Sequence, residues 1–119
     1  MSQRFRDLSP AELAKLPKIM KDHFSIGEER IYLHLINRKK MNWFLSEYDP
    51  IKKVFFGFYE NRIDGISSGF CSLEDILVYS RRGGDWDPIV DENWKPLAAK
   101  EIPLLEGYIN TVKAPSDNF

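Results

Sequence analysis

The stretch from Lys53 to Glu60, which reads KVFFGFYE, decides the fold of this chain. Aromatic and β-branched residues fill it, and such residues favour strands. Because apolar residues occupy both sets of alternating positions, both faces of the strand should be covered, as in the middle of a sheet. Gly57 interrupts the run and indicates a twist or the close approach of another backbone segment. The sequence therefore predicts a central strand.

The segments around it predict further strands joined by short turns. Side chains from Arg30 to Ile36 alternate with period two, and Met41 to Tyr48 and Ser67 to Cys71 also read as strands. A short fifth strand is predicted around Pro88 to Asp91. Turn-forming residues separate the first four strands, and short connections join antiparallel neighbours. We expect an antiparallel meander of four to five strands.

Short helices are predicted before and after these strands in the sequence. Ser9 and Pro10 supply an N-cap and a proline at the first helical position, which indicates a helix beginning at Pro10. Ser72 is a second N-cap, for a helix from Leu73 to Tyr79. Residues 97–105 are expected to be helical in part, with Pro103 limiting the helix. These elements predict an α+β fold with the short helices packed on one face of the sheet.

Chain length and net charge constrain the domain organisation and the expected partners. A length of 119 residues suits one domain, and we expect residues 1–119 to form it, with flexible termini at about 1–7 and 114–119. Seventeen Lys and Arg face 18 Asp and Glu, for a net charge of −1. This balance lacks the broad basic field typical of nucleic-acid binders, so nucleic acid is not the expected partner.

The compartment is inferred from cysteine use and from hydropathy. Cys71 is the single cysteine, which excludes an intramolecular disulfide, and Met1 to Asp7 is too polar for a secretory leader. The longest apolar run, Val54 to Tyr59, is far shorter than the roughly 20 residues that span a bilayer. A cytoplasmic protein without membrane association is expected.

Three segments together resemble a bacterial family of small proteins called DUF2958. They run from Met41 to Asp49, from Phe56 to Phe58 and from Gly69 to Ile76. They are similar to the family's tryptophan strand ending in E-x-D, its F-F-G and its G-Y-F-S-L-x-E-L, in the same order. The resemblance covers roughly residues 10 to 105. The family's later I-E-R-D motif is replaced by Ile89 to Trp94, which lacks the arginine.

The resemblance implies an α+β fold and, in many members, residence on plasmids, phages or other mobile elements. The family has no assigned activity, so the resemblance implies none for this chain. What it adds is a hypothesis about pathway: an accessory or anti-defence protein of a mobile element.

The glycine-rich segment after the second helix contains the candidate partner-binding residues. They are Arg81, Arg82, Asp85, Trp86 and Trp94. Exposed tryptophans beside arginines are typical of hot spots in protein interfaces. Alternatively, both tryptophans fold back over the sheet and the arginines and glycines only cap the helix. The first interpretation makes the chain a non-enzymatic protein–protein interaction module.

An enzyme remains an alternative, through an acidic cluster of Glu47, Asp49 and Asp64 at predicted strand ends. No nucleophile motif accompanies these residues, and no catalytic residue is assigned. Weak nucleic-acid binding is a further alternative. The three basic residues 38–40 and the pair Lys52-Lys53 could form a small basic strip along the sheet.

No metal site or cofactor is predicted. The two histidines, His23 and His34, and one cysteine fall short of a structural zinc site. The acidic residues between Asp85 and Glu92 lack the spacing of a calcium-binding loop. We interpret them as a solvated acidic loop.

Overall fold

The computed structural model describes residues 3–19 and 27–113. The predicted flexible tail from 114 to 119 lies outside them. The described elements are helices α1 (Pro10–Leu13), α2 (Leu73–Arg82) and α3 (Pro103–Lys113), and strands β1 (Arg30–Ile31), β2 (Leu33–Ile36), β3 (Asn42–Asp49), β4 (Val54–Asn61), β5 (Gly65–Ser72), β6 (Ile89–Val90) and β7 (Leu97–Ala98). None of the described helices has the length and hydrophobicity needed to cross a membrane.

The main sheet has five strands in the order β5-β4-β3-β2-β6, and every neighbouring pair is antiparallel. Strands β2 to β5 are consecutive in sequence and form a meander. Strand β6 joins the free side of β2. The predicted α+β fold with an antiparallel meander sheet is confirmed.

The sheet separates two hydrophobic cores. Phe55 and Phe58 of β4 are both fully buried but belong to different cores, which confirms that the central strand is covered on both faces. The first core contains Phe5, Leu13, Leu35, Trp43, Leu45, Tyr48, Phe55 and Ile76. The second contains Ile31, Phe44, Phe58, Ala99, Ile102, Leu105 and Ile109.

Helices pack on both faces of the sheet, not on one as the sequence predicted. Leu13 of α1 and Ile76 of α2 enter the first core, whereas Leu105 and Ile109 of α3 enter the second. The bounds of α3 also differ from the prediction, because Pro103 begins this helix instead of limiting it. Proline is tolerated in a first helical turn because its missing N–H would have no partner within the helix there.

The predicted strand from Arg30 to Ile36 is broken at Tyr32. Strand β1 pairs with β7 in a separate two-stranded sheet, and β2 pairs with β3. Ile31 therefore enters the second core and Leu35 the first. An unbroken alternation would have placed them on the same face.

Gly57 marks a close approach, as expected from the sequence. A Cβ atom at this position would lie 2.1 Å from the carbonyl oxygen of Phe44. The ladder between β3 and β4 shifts register between Leu45 and Glu47, next to this contact. Only glycine lets the two central strands come this close.

Residues 3–5 close the edge of the sheet at β6. Arg4 forms an antiparallel bridge with Ile89, and the N–H groups of Val90 and Phe5 donate to the carbonyl oxygens of Gln3 and Pro88. Phe5, within the stretch expected to be a flexible terminus, is 2% exposed and part of the first core. The edge beside the candidate loop is therefore already paired.

Candidate functional site

The meander topology brings two distant turns to one end of the sheet. Alternate connections of a meander lie at the same end, so the β2–β3 turn at residues 37–41 meets the β4–β5 turn at residues 62–64. The end of α2 and the following loop lie beside them. Together they enclose a cleft of about 500 Å³, lined by Arg38, Lys39, Lys40, Met41, Asn61, Arg62, Ile63, Asp64, Tyr79 and Trp86.

Trp86 lines this cleft and contacts one aromatic and two cationic side chains. Its ring stacks near Tyr79, with centroids 6.2 Å apart and planes at 23°. The guanidinium carbon of Arg82 lies 4.1 Å from the centre of the ring, and the Lys39 ammonium nitrogen lies 5.0 Å from it. Cations over an indole are attracted by its π-electrons. Trp86 therefore holds two cationic side chains at the cleft.

Asn37 ties the two sides of the cleft together. It is 4% exposed, and its Nδ2 donates to the carbonyl oxygen of Trp86 at 2.9 Å while its Oδ1 accepts from the N–H of Met41 at 3.1 Å. The N–H of Arg38 donates to the carbonyl oxygen of Asp85 at 3.1 Å. These hydrogen bonds fix the basic turn against the loop that contains Trp86.

The cleft has a local excess of positive charge. Four cationic side chains line it, and Asp64 is the acidic one among its described lining residues. The nearest ion pair, between Arg38 and Asp85 at 4.0 Å, joins side chains that are 80% and 59% exposed. Exposed pairs of this kind contribute little. Most of the positive charge is therefore available to a ligand.

Three of the five predicted partner-binding residues lie at or beside this cleft. Arg82, Asp85 and Trp86 have been placed above, and Arg81, next to Arg82 on α2, forms an ion pair with Glu74. Trp94 packs instead against the second core on the other face of the sheet. The five residues therefore do not form one surface.

Trp94 is held as part of the fold. Its indole N–H donates to the carbonyl oxygen of Ile31 at 3.0 Å, and its ring lies 5.8 Å from Phe44 and 4.9 Å from His34. For Trp94 the folded-back alternative describes the structure. Trp86 and Trp94 are both half buried, but Trp86 borders the cleft.

The predicted acidic cluster is not assembled. Glu47 is buried within β3, whereas Asp49 and Asp64 lie next to opposite ends of β4. A strand of eight residues separates its ends by about 23 Å. Asp49 accepts the N–H groups of Ile51 and Lys52, and these hydrogen bonds lower its pKa. Asp49 therefore stabilises a turn as a carboxylate.

The late acidic loop is also used within the fold. Asp87 lies 3.5 Å and 3.6 Å from the guanidinium nitrogens of Arg4 and Arg6, and Asp91 lies 2.8 Å from Nδ1 of His34. Within residues 3–19 and 27–113, no three metal-ligating side chains come together in a way that could hold an ion. His23 lies outside these residues.

The predicted basic strip is not continuous. Lys52 and Lys53 lie in the β3–β4 turn, at the end of the sheet opposite residues 38–40. Arg62 from the β4–β5 turn and Tyr79 from α2 take part in the cleft instead, and the sequence prediction missed both. The signal that could have found Arg62 is the meander itself, because alternate turns share an end.

Comparison with protein-family models, with curated proteins and with solved structures found no match to this chain. The resemblance to DUF2958 therefore stays an expectation from the sequence.

Proposed function

We propose that this chain is a non-enzymatic protein–protein interaction module whose partner binds at the end of α2, around Trp86. The observation that carries the proposal is the contact between Arg82 and Trp86 at the edge of a cleft. Tryptophan and arginine are the residue types most enriched at interface hot spots. Trp94 is not part of the proposed surface.

The fixed geometry of the cleft supports this proposal. Two hydrogen bonds join the basic turn to the loop of Trp86, from Asn37 Nδ2 to the Trp86 carbonyl oxygen and from the Arg38 N–H to the Asp85 carbonyl oxygen. The Tyr79 ring stacks near the indole ring. A surface held in place before binding loses less conformational entropy on association. The side chains that would contact a partner are thus already positioned.

The first experiment is affinity capture from a bacterial lysate, followed by binding measurements with the purified partner. The variant Trp86→Ala should lower the affinity by at least about tenfold, which corresponds to about 1.4 kcal/mol. Lys52→Ala, at the opposite end of the sheet, is the control and should bind within about twofold of the wild type. A partner that binds Trp86→Ala as tightly as the wild type would refute the proposal.

A sharper form of the proposal concerns the pathway. The resemblance to DUF2958 supports an accessory or anti-defence role on a mobile element, in which the partner is a component of a bacterial defence system. Phage plating on strains with individual defence systems tests this, with and without expression of the chain. Restored plating that depends on Trp86 is expected, and unchanged plating across the panel would remove this form of the proposal.

A further inference from the structure

The charge and shape of the cleft suggest what kind of partner segment it accepts. Resting on the proposed function, we propose that the cleft binds an acidic peptide segment of the partner, with carboxylates on either side of one apolar residue.

Electrostatic complementarity is the first argument. Arg38, Lys39, Lys40 and Arg62 line the cleft from two turns, and Arg82 lies at its border over Trp86. The chain as a whole has a net charge of −1, so this concentration of positive charge is local. A local field of one sign in a cleft attracts ligands of the opposite sign and speeds their association.

The apolar part of the lining is the second argument. Met41, Tyr79 and Trp86 contribute their side chains, and Ile63 is 92% exposed at the tip of the β4–β5 turn. An exposed isoleucine next to a cleft provides apolar area that a ligand can bury. A purely ionic ligand would leave this area uncovered, whereas a peptide with one apolar side chain would cover it.

Single-stranded nucleic acid fits the same residues less well. Such ligands require an open aromatic face for base stacking and a basic path for the backbone. Trp86 already contacts Tyr79, Arg82 and Lys39. Because Lys52 and Lys53 lie at the other end of the sheet, they do not extend the basic cleft. The arrangement holds charged groups ready for carboxylates instead.

The test uses fluorescence anisotropy with three labelled probes: a short peptide of glutamates around one phenylalanine, the same peptide with glutamine for glutamate, and oligothymidylate of equal charge. We expect the acidic peptide to bind at least about tenfold more tightly than the glutamine peptide and the oligonucleotide. The preference over the glutamine peptide should shrink as salt is added.

Two charge-reversed variants locate the site. Lys39→Glu with Arg62→Glu should weaken binding of the acidic peptide by at least about tenfold. Lys52→Glu with Lys95→Glu changes the net charge equally but away from the cleft, and should change binding by about twofold or less. Because Lys39 contacts Trp86, the single variant Arg62→Gln is a second probe that preserves this contact. Circular dichroism checks that each variant is folded.

The outcomes separate this inference from the proposed function. Equal binding of the acidic and glutamine peptides, or equal weakening by both charge-reversed pairs, would overturn the acidic ligand. Tighter binding of oligothymidylate would replace it with nucleic acid. If a protein partner still depends on Trp86 in those cases, the interaction module stands and only its ligand chemistry is wrong. If Trp86→Ala leaves the partner bound, the proposed function itself fails.

Discussion

Arg82 and Trp86 lie four positions apart in sequence, one at the end of α2 and the other in the loop that follows, with the guanidinium carbon 4.1 Å from the centre of the indole ring. Gly83, with a φ of 71°, provides the change of direction between them. Its left-handed conformation favours glycine. The helix end, the glycine and the tryptophan therefore act together to place a cation at the border of the cleft.

The contribution of Arg82 to stability should be small. A cation–π contact at an exposed site is worth about 0.5–1 kcal/mol, so Arg82→Ala should lower the free energy of unfolding by no more than about 1 kcal/mol. Urea denaturation measures it, with Arg81→Ala as the neighbouring control. A loss above about 2 kcal/mol would mean that Arg82 supports the fold rather than a surface for binding.

The two late tryptophans should differ in their effect on stability. Trp94→Ala removes a ring that packs against the second core and an indole hydrogen bond to Ile31, and should cost about 3 kcal/mol. Trp86→Ala should cost about 1–2 kcal/mol, because its ring borders the open cleft and, unlike that of Trp94, does not pack against a hydrophobic core. Thermal and urea unfolding of both variants test this order, and the reverse order would contradict the assignment of Trp94 to the fold.

Two glycine-to-alanine substitutions should change the free energy of unfolding in opposite directions. Gly57→Ala places a Cβ 2.1 Å from the Phe44 carbonyl oxygen, and the backbone of a central strand must move, at a cost of about 3 kcal/mol. Gly107→Ala, in α3, meets no atom within 4 Å and should raise the free energy of unfolding by up to about 1 kcal/mol. Equal effects in urea denaturation would argue against the close approach at Gly57.

The thiol of Cys71 should be slow to react in the folded protein. Burial raises the pKa of Cys71 from 9.0 to about 12, and the thiolate is the reactive form. Alkylation by iodoacetamide at pH 8, followed by mass spectrometry, should be at least about a hundredfold slower than in urea. Similar rates in both conditions would show that the thiol is accessible.

The same thiol gives a pH dependence of stability with a definite sign. Because its pKa is higher in the folded state than in the unfolded state, the unfolded state releases its proton first as the pH rises. The stabilisation is complete below about pH 9 and is lost progressively toward pH 12. Burial also raises the pKa of Tyr59, which acts in the same direction. Cys71→Ala should reduce the slope of stability against pH in this range.

Local sequence signals predicted the elements of the fold well. Both predicted N-caps, Ser9 and Ser72, form as expected, and in the structure each belongs to a capping box between residues three apart. The short turns likewise predicted the antiparallel meander, because short connections join antiparallel neighbours. What the sequence did not predict is where α3 packs, because that depends on which face of the sheet remains uncovered after α1 and α2 are placed.

The candidate site was predicted only in part. Arg82 and Trp86 are close in sequence, so their proximity could be inferred from a helix and the loop after it. Lys39 and Arg62 come from two separate turns, and their meeting requires the full strand order. Trp94 was misplaced because a loop sequence does not specify on which side of the sheet it returns.

The pairing of residues 3–5 with residues 88–90 affects the order in which the chain can fold during synthesis. Gln3, Arg4 and Phe5 leave the ribosome early, whereas their partners Pro88 and Ile89 follow only after most of the described chain has been made. Until then the position that Phe5 fills in the first core has no occupant from this segment. Pairing of such distant segments is slow because a long loop must close first. A nascent chain stalled before Pro88 should therefore expose the part of its first core that Phe5 covers in the complete fold.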